Sequence, residues 1–272
     1  MVTHALPTRA FGDHLRSWRQ RRRMSQLDLA LEAEISQKHL SFVESGRSSP
    51  SREMVLTLAE HLQVPLRERN TLLLSAGYAP LFPERSLDDP ALRVARAAID
   101  LVLKGHEPYP ALAVDRHWTL VAANAAIAPL LAGVSEARLL EPPVNVLRLS
   151  LHPGGLAPLI VNFAEWRSHV LDRLRQQIER TGDTGLQRLR AELESYPAGG
   201  AVHGDHAADF GGVLIPLRLS TPAGTLSFFS TITVFGTPVD VTLSELAIEA
   251  FFPADEATGA ALRALTAGSS PV

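Results

Sequence analysis

Gln37, Lys38, Ser41 and Phe42 share the outward side of a short helical pattern and bring an amide, an ammonium, a hydroxyl and an aromatic ring to one surface. These are groups for recognition rather than for making or breaking bonds. They are framed by Ser25 to Pro50, SQLDLALEAEISQKHLSFVESGRSSP. Ser25 can cap a helix from Gln26 to Ala33, whose apolar positions Leu27, Ala30 and Leu31 recur at helical spacing while Asp28 and Glu32 stay in water. Glu34-Ile35 makes the turn. Ser36 caps the second helix, Gln37 to about Ser45, which buries Leu40 and Val43, and Gly46 ends it as a left-handed cap. Two short helices joined by one tight turn are how a protein places a helix in a DNA groove, which points to a transcription regulator.

Neighbouring patterns complete a bundle. Phe11, Leu15 and Trp18 mark an earlier helix that runs into the basic stretch Arg19 to Arg23. Ser49-Pro50-Ser51 opens another, in which Met54, Leu58 and Leu62 form one stripe, widened by Val55 and Ala59, until Val64-Pro65 stops it. Five short helices are expected before Gly77.

SQxxLA, IS at the start of the second helix and VESGRxxPS together resemble the xenobiotic-response-element (XRE) family of helix-turn-helix domains, with the lambda-repressor-like fold, over roughly the first seventy-five residues. The resemblance implies roles by position. Gln26 and Arg47 would contact phosphates, and Gln37, Lys38, Ser41 and Phe42 would enter the major groove. There Gln can pair with adenine, Lys can donate to guanine and Phe can pack on a thymine methyl. Arg19 and Glu44 would form an internal ion pair between the first and third helices. His39 has no assigned role.

Through Ser75 the chain has 11 Lys/Arg against 8 Asp/Glu, and the remainder has 15 against 21, so only the first part suits a polyanion. Arg21 to Arg23 can supply backbone attraction at most, and an ordinary solvated helix face is the alternative. With 46% hydrophobic residues in 272, the chain can bury a sizeable core and is expected to form two domains. No apolar run approaches the ~20 residues that span a bilayer. No signal region or cysteine is present, so disulfides and thiolate metal sites are excluded and a cytoplasmic location is expected.

Gly77 to Pro90, GYAPLFPERSLDDP, reads as the linker between a first domain at 1–76 and a second at 90–272. Asp89 can cap a helix from Pro90 that carries Leu92, Ala95, Ile99 and Val102 on one face and ends at Gly105. ALAVDRHWTLVAANAA then reads as strand, tight turn near Asp115-Arg116, strand, and a helix from Asn124. Helices are expected at Phe163 to Arg180 and Gly185 to Ser195. Val213 to Leu219, Gly224 to Phe235 and Val239 to Glu249 read as strands rich in β-branched and aromatic residues. The expected fold is an all-α helix-turn-helix domain followed by an α+β domain, with an antiparallel sheet of about five strands and helices on one face.

HEPYPALAVDRHW at His106 to Trp118, AANAA at Ala122 to Ala126, LRLSLHPGG at Leu147 to Gly155, NFAEW at Asn162 to Trp166, LSFFSTITVFGTPVDVTLSEL at Leu226 to Leu246 and FFPADEAT at Phe251 to Thr258 resemble the MmyB-like ligand-binding domain, a variant of the PAS fold. The resemblance implies a sensor for a small lipophilic effector, with a fatty acid or similar lipid as the suggested ligand. Such a ligand needs apolar walls and one or two polar groups for its head. Candidate handles are Arg148, His152, Asn145 and Asn162, and candidate wall residues are Phe163, Trp166, Phe228 and Phe229. Each has a plainer reading. The aromatics can be ordinary core, Asn124 and Asn162 can cap helices, and Arg148 can pair with Glu141 or another carboxylate.

His203-Gly204-Asp205-His206 with Asp209 has side chains that a metal could use, but its surroundings read as an exposed loop, so no metal site or cofactor is assigned. Asp209-Phe210-Gly211 has no kinase partners, and GxSxG, GxGxxG and HExxH are absent. The expectation is therefore a non-enzymatic homodimer that reads a double-stranded DNA operator. The alternative is an enzyme or carrier for the same small molecule, with DNA binding secondary.

Overall fold

Ser25, Ser36 and Ser51 each accept a hydrogen bond from the backbone N–H three residues on, at 3.1 Å, and so fix where three helices begin. The computed structural model describes residues 11–198, 215–236 and 238–267. The chain divides into two units, the first built from Met1–Arg85 with Glu179–Thr181 and Thr237–Ser244, the second from Ser86–Ile178, Gly182–Gly236 and Glu245–Val272.

The first unit holds the five expected helices, α1 (Phe11–Arg21), α2 (Gln26–Glu32), α3 (Gln37–Glu44), α4 (Arg52–His61) and α5 (Leu66–Ser75). Its core is Phe11, Leu15 and Trp18 of α1 packed on Leu40 and Val43 of α3, with Val55, Leu58 and Leu62 from the α4 segment and Leu72 and Leu73 of α5. One expectation fails inside it. The buried face of α2 is Leu29 and Ala30, continued by Ala33, whereas Leu27 and Leu31 are 49% and 69% exposed. Both sets satisfy a 3.6-residue period, and the direction from which α3 and α4 approach decides between them.

Glu44 locks this bundle. Its side chain is fully buried and takes the Arg19 guanidinium on two sides, Nε to Oε1 at 2.7 Å and Nη2 to Oε2 at 3.0 Å. Gln26 Nε2 donates to Oε2 at 2.7 Å, so α1, α2 and α3 meet on one carboxylate. The backbones also come close, since a Cβ added at Gly12 would lie 2.3 Å from the Glu44 carbonyl oxygen. Burial pushes the Glu44 carboxyl up. The hydrogen bonds from Arg19 and Gln26 and the charges of Arg19 and Arg16 outweigh it, and the group sits below the usual glutamate range.

In the second unit five strands, β1 (Ala111–Val114), β2 (Leu120–Ala123), β3 (Leu217–Thr221), β4 (Gly224–Val234) and β5 (Ala247–Pro253), form one antiparallel sheet in the order β2-β1-β5-β4-β3. Asp115 builds the β1–β2 turn by accepting from the N–H groups of His117 and Thr119, both at 2.8 Å. Helix α6 (Arg93–Gly105) precedes β1, and α7 (Val146–Leu151), α8 (Phe163–Thr181) and α9 (Thr184–Ser195) lie between β2 and β3. Helix α10 (Val241–Ser244), which falls between β4 and β5 in the sequence, belongs to the first unit, and α11 (Glu256–Ala267) follows the sheet. The core is the cluster of Leu112, Val114, Leu219, Leu226 and Phe228 on the strands with Leu147, Trp166, Val170, Leu174 and Leu189 on the helices. Among the described residues no helix is long and apolar enough to cross a membrane.

Several expected boundaries move. The last strand is β5 rather than Val239 to Glu249, because Asp240 accepts the Thr242 N–H at 2.9 Å and turns the chain into α10 before it can extend. No helix starts at Asn124; its side chain accepts from Ala111 N and donates to the carbonyls of Leu103 and Tyr109, fastening the end of β2 to the start of β1. In α6 the inward residues are Ile99 and Leu103, and Val102 is 50% exposed. The start of the expected strand at Val213 and the 203–209 histidine and aspartate group lie outside the described residues.

Because the folded carboxyl of Glu44 titrates below its unfolded value, the pair stabilises the first unit fully above the ordinary glutamate range, about 4.3, and that contribution disappears as the pH falls through the folded value. Urea unfolding across this range should show Glu44→Gln losing on the order of 3 kcal/mol at neutral pH and showing less further loss in acid than the parent chain. Equal acid slopes for the two proteins would refute the assignment.

Candidate functional site

Helix α3 is positioned from both ends. Ser36 caps its start, and beyond its end Arg47 N donates to Phe42 O at 2.8 Å through a turn made by Gly46 at φ +73°. Leu40, Val43 and Glu44 face inward. Gln37 and Lys38 are exposed and Ser41 and Phe42 are half-buried, so the four residues form one outward strip, with exposed Arg47 beside it. The Lys38 ammonium lies 5.7 Å and the Arg47 guanidinium 5.2 Å from the centre of the Phe42 ring. Two cations thus lie against one aromatic ring, which orients both long side chains without neutralising either. Gln26 stands at the N-terminus of α2 with its amide nitrogen engaged by Glu44.

The second unit holds a partly open cavity of about 470 Å³, within the ~300–1,000 Å³ usual for small-molecule pockets. Aliphatic residues from the 127–144 segment form one part of its wall, for example Ile127, Leu131 and Leu140. Leu112 of β1, Leu219 of β3, Phe228 of β4 and Phe251 of β5 supply the sheet side, and Trp166 and Val170 of α8 the helix side. Two charged residues break this apolar lining, Arg173 of α8 and Glu249 of β5. They are paired, Nη1 to Oε1, at 2.9 Å.

The eight residues singled out from the sequence divide around this cavity. Trp166 and Phe228 line it. Phe229 points to the opposite side of the sheet, stacked on Phe252 at 5.2 Å between ring centres, because consecutive strand residues face opposite ways. Phe163 packs against the core without entering the lining. Arg148 is held by Glu192 rather than Glu141, with Nε and Nη2 on the two carboxylate oxygens at 2.7 and 2.8 Å. Glu192 also accepts the Tyr196 hydroxyl at 2.7 Å; burial and this neighbour push the Tyr196 phenol up to about 12. His152 stands edge-on to Tyr196 and accepts from Gly154 N. Asn145 caps α7 by accepting from Arg148 N and donates to His117 O. Asn162 occupies the capping place of α8, but its side chain accepts from Arg218 N and donates to Pro216 O, joining that loop to β3.

Arg173 and Glu249 were missed, although a signal existed. Arg173 follows Trp166 and Val170 at i+7 and i+3 on the inward stripe of α8, and Glu249 sits in the apolar run AIEAFF. Each is a charge at a position that periodicity assigns to the interior.

Residues 95–265 match the family described as MmyB-like transcription regulator ligand binding domain, and residues 15–69 match the helix-turn-helix family. A protein of Methanoculleus marisnigri that carries the name of an HTH-type transcriptional regulatory protein is 34% identical over 122 residues, which is 43% of this chain and 39% of that protein. The chain thus spans well under half the length of that relative. A crystal structure of the clp gene regulator ClgR from Corynebacterium glutamicum is 25% identical, covers 38% of this chain and 97% of its own, and superposes with a TM-score of 0.23.

The two faces of β4 give a direct test of the cavity. Leu219→Trp, which fills it from the neighbouring strand, should weaken binding of an apolar fluorescent probe by about tenfold or more, whereas Phe229→Leu should leave the probe affinity within about twofold. Comparable losses for both variants would mean that the probe binds elsewhere.

Proposed function

Because this chain belongs to the family of MmyB-like transcription regulators and carries a helix-turn-helix domain ahead of its ligand-binding domain, we propose that it is a one-component switch: a homodimer that reads a roughly palindromic operator and responds to a small lipophilic effector. The observation that carries the effector half is the cavity of about 470 Å³, walled by aliphatic and aromatic side chains within the five-stranded antiparallel sheet unit. A single-chain lipid of the fatty acid type suits such a wall, since each methylene buried contributes about 0.8 kcal/mol. This unit would then be a PAS-like sensor.

For the operator half, Gln37, Lys38, Ser41 and Phe42 would face base edges from the major groove, while Arg47 and Gln26 would hold the phosphate backbone. The capped, solvent-facing strip of α3 supports this reading. In a dimer the two recognition helices must sit about 34 Å apart, or a multiple of it, to enter successive major grooves. The effector acts only through its preference for one arrangement of the dimer, and coupling of this kind typically amounts to about 1–3 kcal/mol.

Native mass spectrometry of the purified protein, before and after denaturation, tests the reading directly: a dimer that releases a lipid-sized molecule is expected. A monomer that binds neither lipid nor DNA would defeat it. On selected operator DNA, Gln37→Ala should relax sequence preference. Arg47→Ala should weaken binding to operator and random DNA alike and lower the salt slope by about one. If Gln37→Ala weakened both DNAs equally, base reading would have to be assigned to other residues.

A further inference from the structure

The two charges in the cavity wall are unequally satisfied. Glu249, whose side chain is 5% exposed, takes Arg173 Nη1 at 2.9 Å and the Ser230 hydroxyl at 3.0 Å, both on Oε1. The Arg173 guanidinium lies over the Trp118 ring, 4.4 Å from its centre, and its side chain is 20% exposed. Its Nε, however, is buried with no hydrogen-bond partner among the described residues. Arg167 Nε shares that condition, but Arg167 does not line the cavity.

A buried N–H without an acceptor is costly, and native structures leave few of them. As it stands the Nε has no exposed surface, so a ligand's acceptor satisfies it through a small turn of the guanidinium toward the cavity that Arg173 lines. The charge balance narrows the acceptor's identity. Arg173 is already matched by Glu249, so a free carboxylate at Nε would bring a second anion beside the first against a mostly apolar wall, with one cation between them. His169, a titratable side chain packed on Trp166, is shifted below the usual histidine range chiefly by burial and then by Arg173, against the opposing pull of Glu249 and Asp172. An uncharged carbonyl oxygen satisfies the N–H and leaves the pair balanced.

We propose that Arg173 selects the ligand's head by donating from Nε–H to an uncharged carbonyl oxygen, and that the effector is a lipophilic ester, amide or lactone rather than a free carboxylate. A fatty acid would enter this site as its protonated acid. Glu249, Ser230 and Trp118 act as positioning residues that hold the guanidinium. The inference rests on the reading of the cavity as an effector site.

The test titrates the full-length protein with methyl dodecanoate and with dodecanoate at neutral pH, each displacing an apolar fluorescent probe. The ester should bind about tenfold tighter than the carboxylate. Arg173→Lys keeps a cation for Glu249 and removes Nε–H. It should weaken the ester by about tenfold more than it weakens the dodecanoate and keep the melting temperature near that of the parent. A carboxylate that binds as tightly as the ester, or an ester affinity untouched by Arg173→Lys, overturns the head-group assignment while leaving the lipophilic cavity intact. Binding of neither compound overturns the effector reading and this inference together. The comparison in the parent protein involves no substitution, so it decides the matter even if the variant does not fold.

Discussion

The second unit depends on β5 having two partners. It hydrogen-bonds β1 along one edge, from Ala111 opposite Ala250 to Val114 opposite Ala247, and β4 along the other, from Phe228 opposite Pro253 to Val234 opposite Ala247. Before β5 is placed, the β1–β2 and β3–β4 hairpins are two separate ribbons, and a lone two-stranded ribbon is marginally stable at best. Once it is placed, Leu112, Glu249 and Phe228 come onto one face, and the helical segment between the ribbons is drawn over that face. Cavity, ion pair and sheet are thus consequences of one strand arriving late in the sequence and pairing at long range.

The first unit solves a smaller problem in another way. Five short helices bury a modest core, and their mutual angles are fixed where α1, α2 and α3 converge on the Glu44 carboxylate. Gly12 permits that convergence because any side chain there would collide with the Glu44 carbonyl. The polar centre orients α3 from behind, through Glu44 on its inner side, while Gln37, Lys38, Ser41 and Phe42 are left outside.

The helices of the first unit were legible because caps and turns are local: Ser25, Ser36, Ser51 and Gly46 each act within a few residues of their own position. The existence of five strands was legible from composition, and β4 from its run of β-branched and aromatic residues. Choices that depend on a distant neighbour were not legible. Leu27 and Leu31 fit a helical stripe as well as Leu29 and Ala30 do, and only the approach of other helices separates them. Phe228 and Phe229 are adjacent and alike in the sequence; the side of the sheet that carries the cavity makes one a wall and the other a back-face residue. Arg148 looked available because Glu192 is 44 residues away. Arg173 and Glu249 were hidden by their settings, an inward helical stripe and an apolar strand, where charged residues are seldom expected.

The Phe228–Phe229 step also constrains how this lineage can vary. A one-residue insertion or deletion within β4 would exchange its two faces, turning Ser227 and Phe229 toward the cavity and Phe228 away. It would also carry the Ser230 hydroxyl off Glu249. Changes of chain length in this part of the gene are therefore tolerable only beyond the paired residues, in the turn before Gly224 or after Val234. New ligand preferences must arise instead by exchanging one side chain for another at even-numbered positions of the strand.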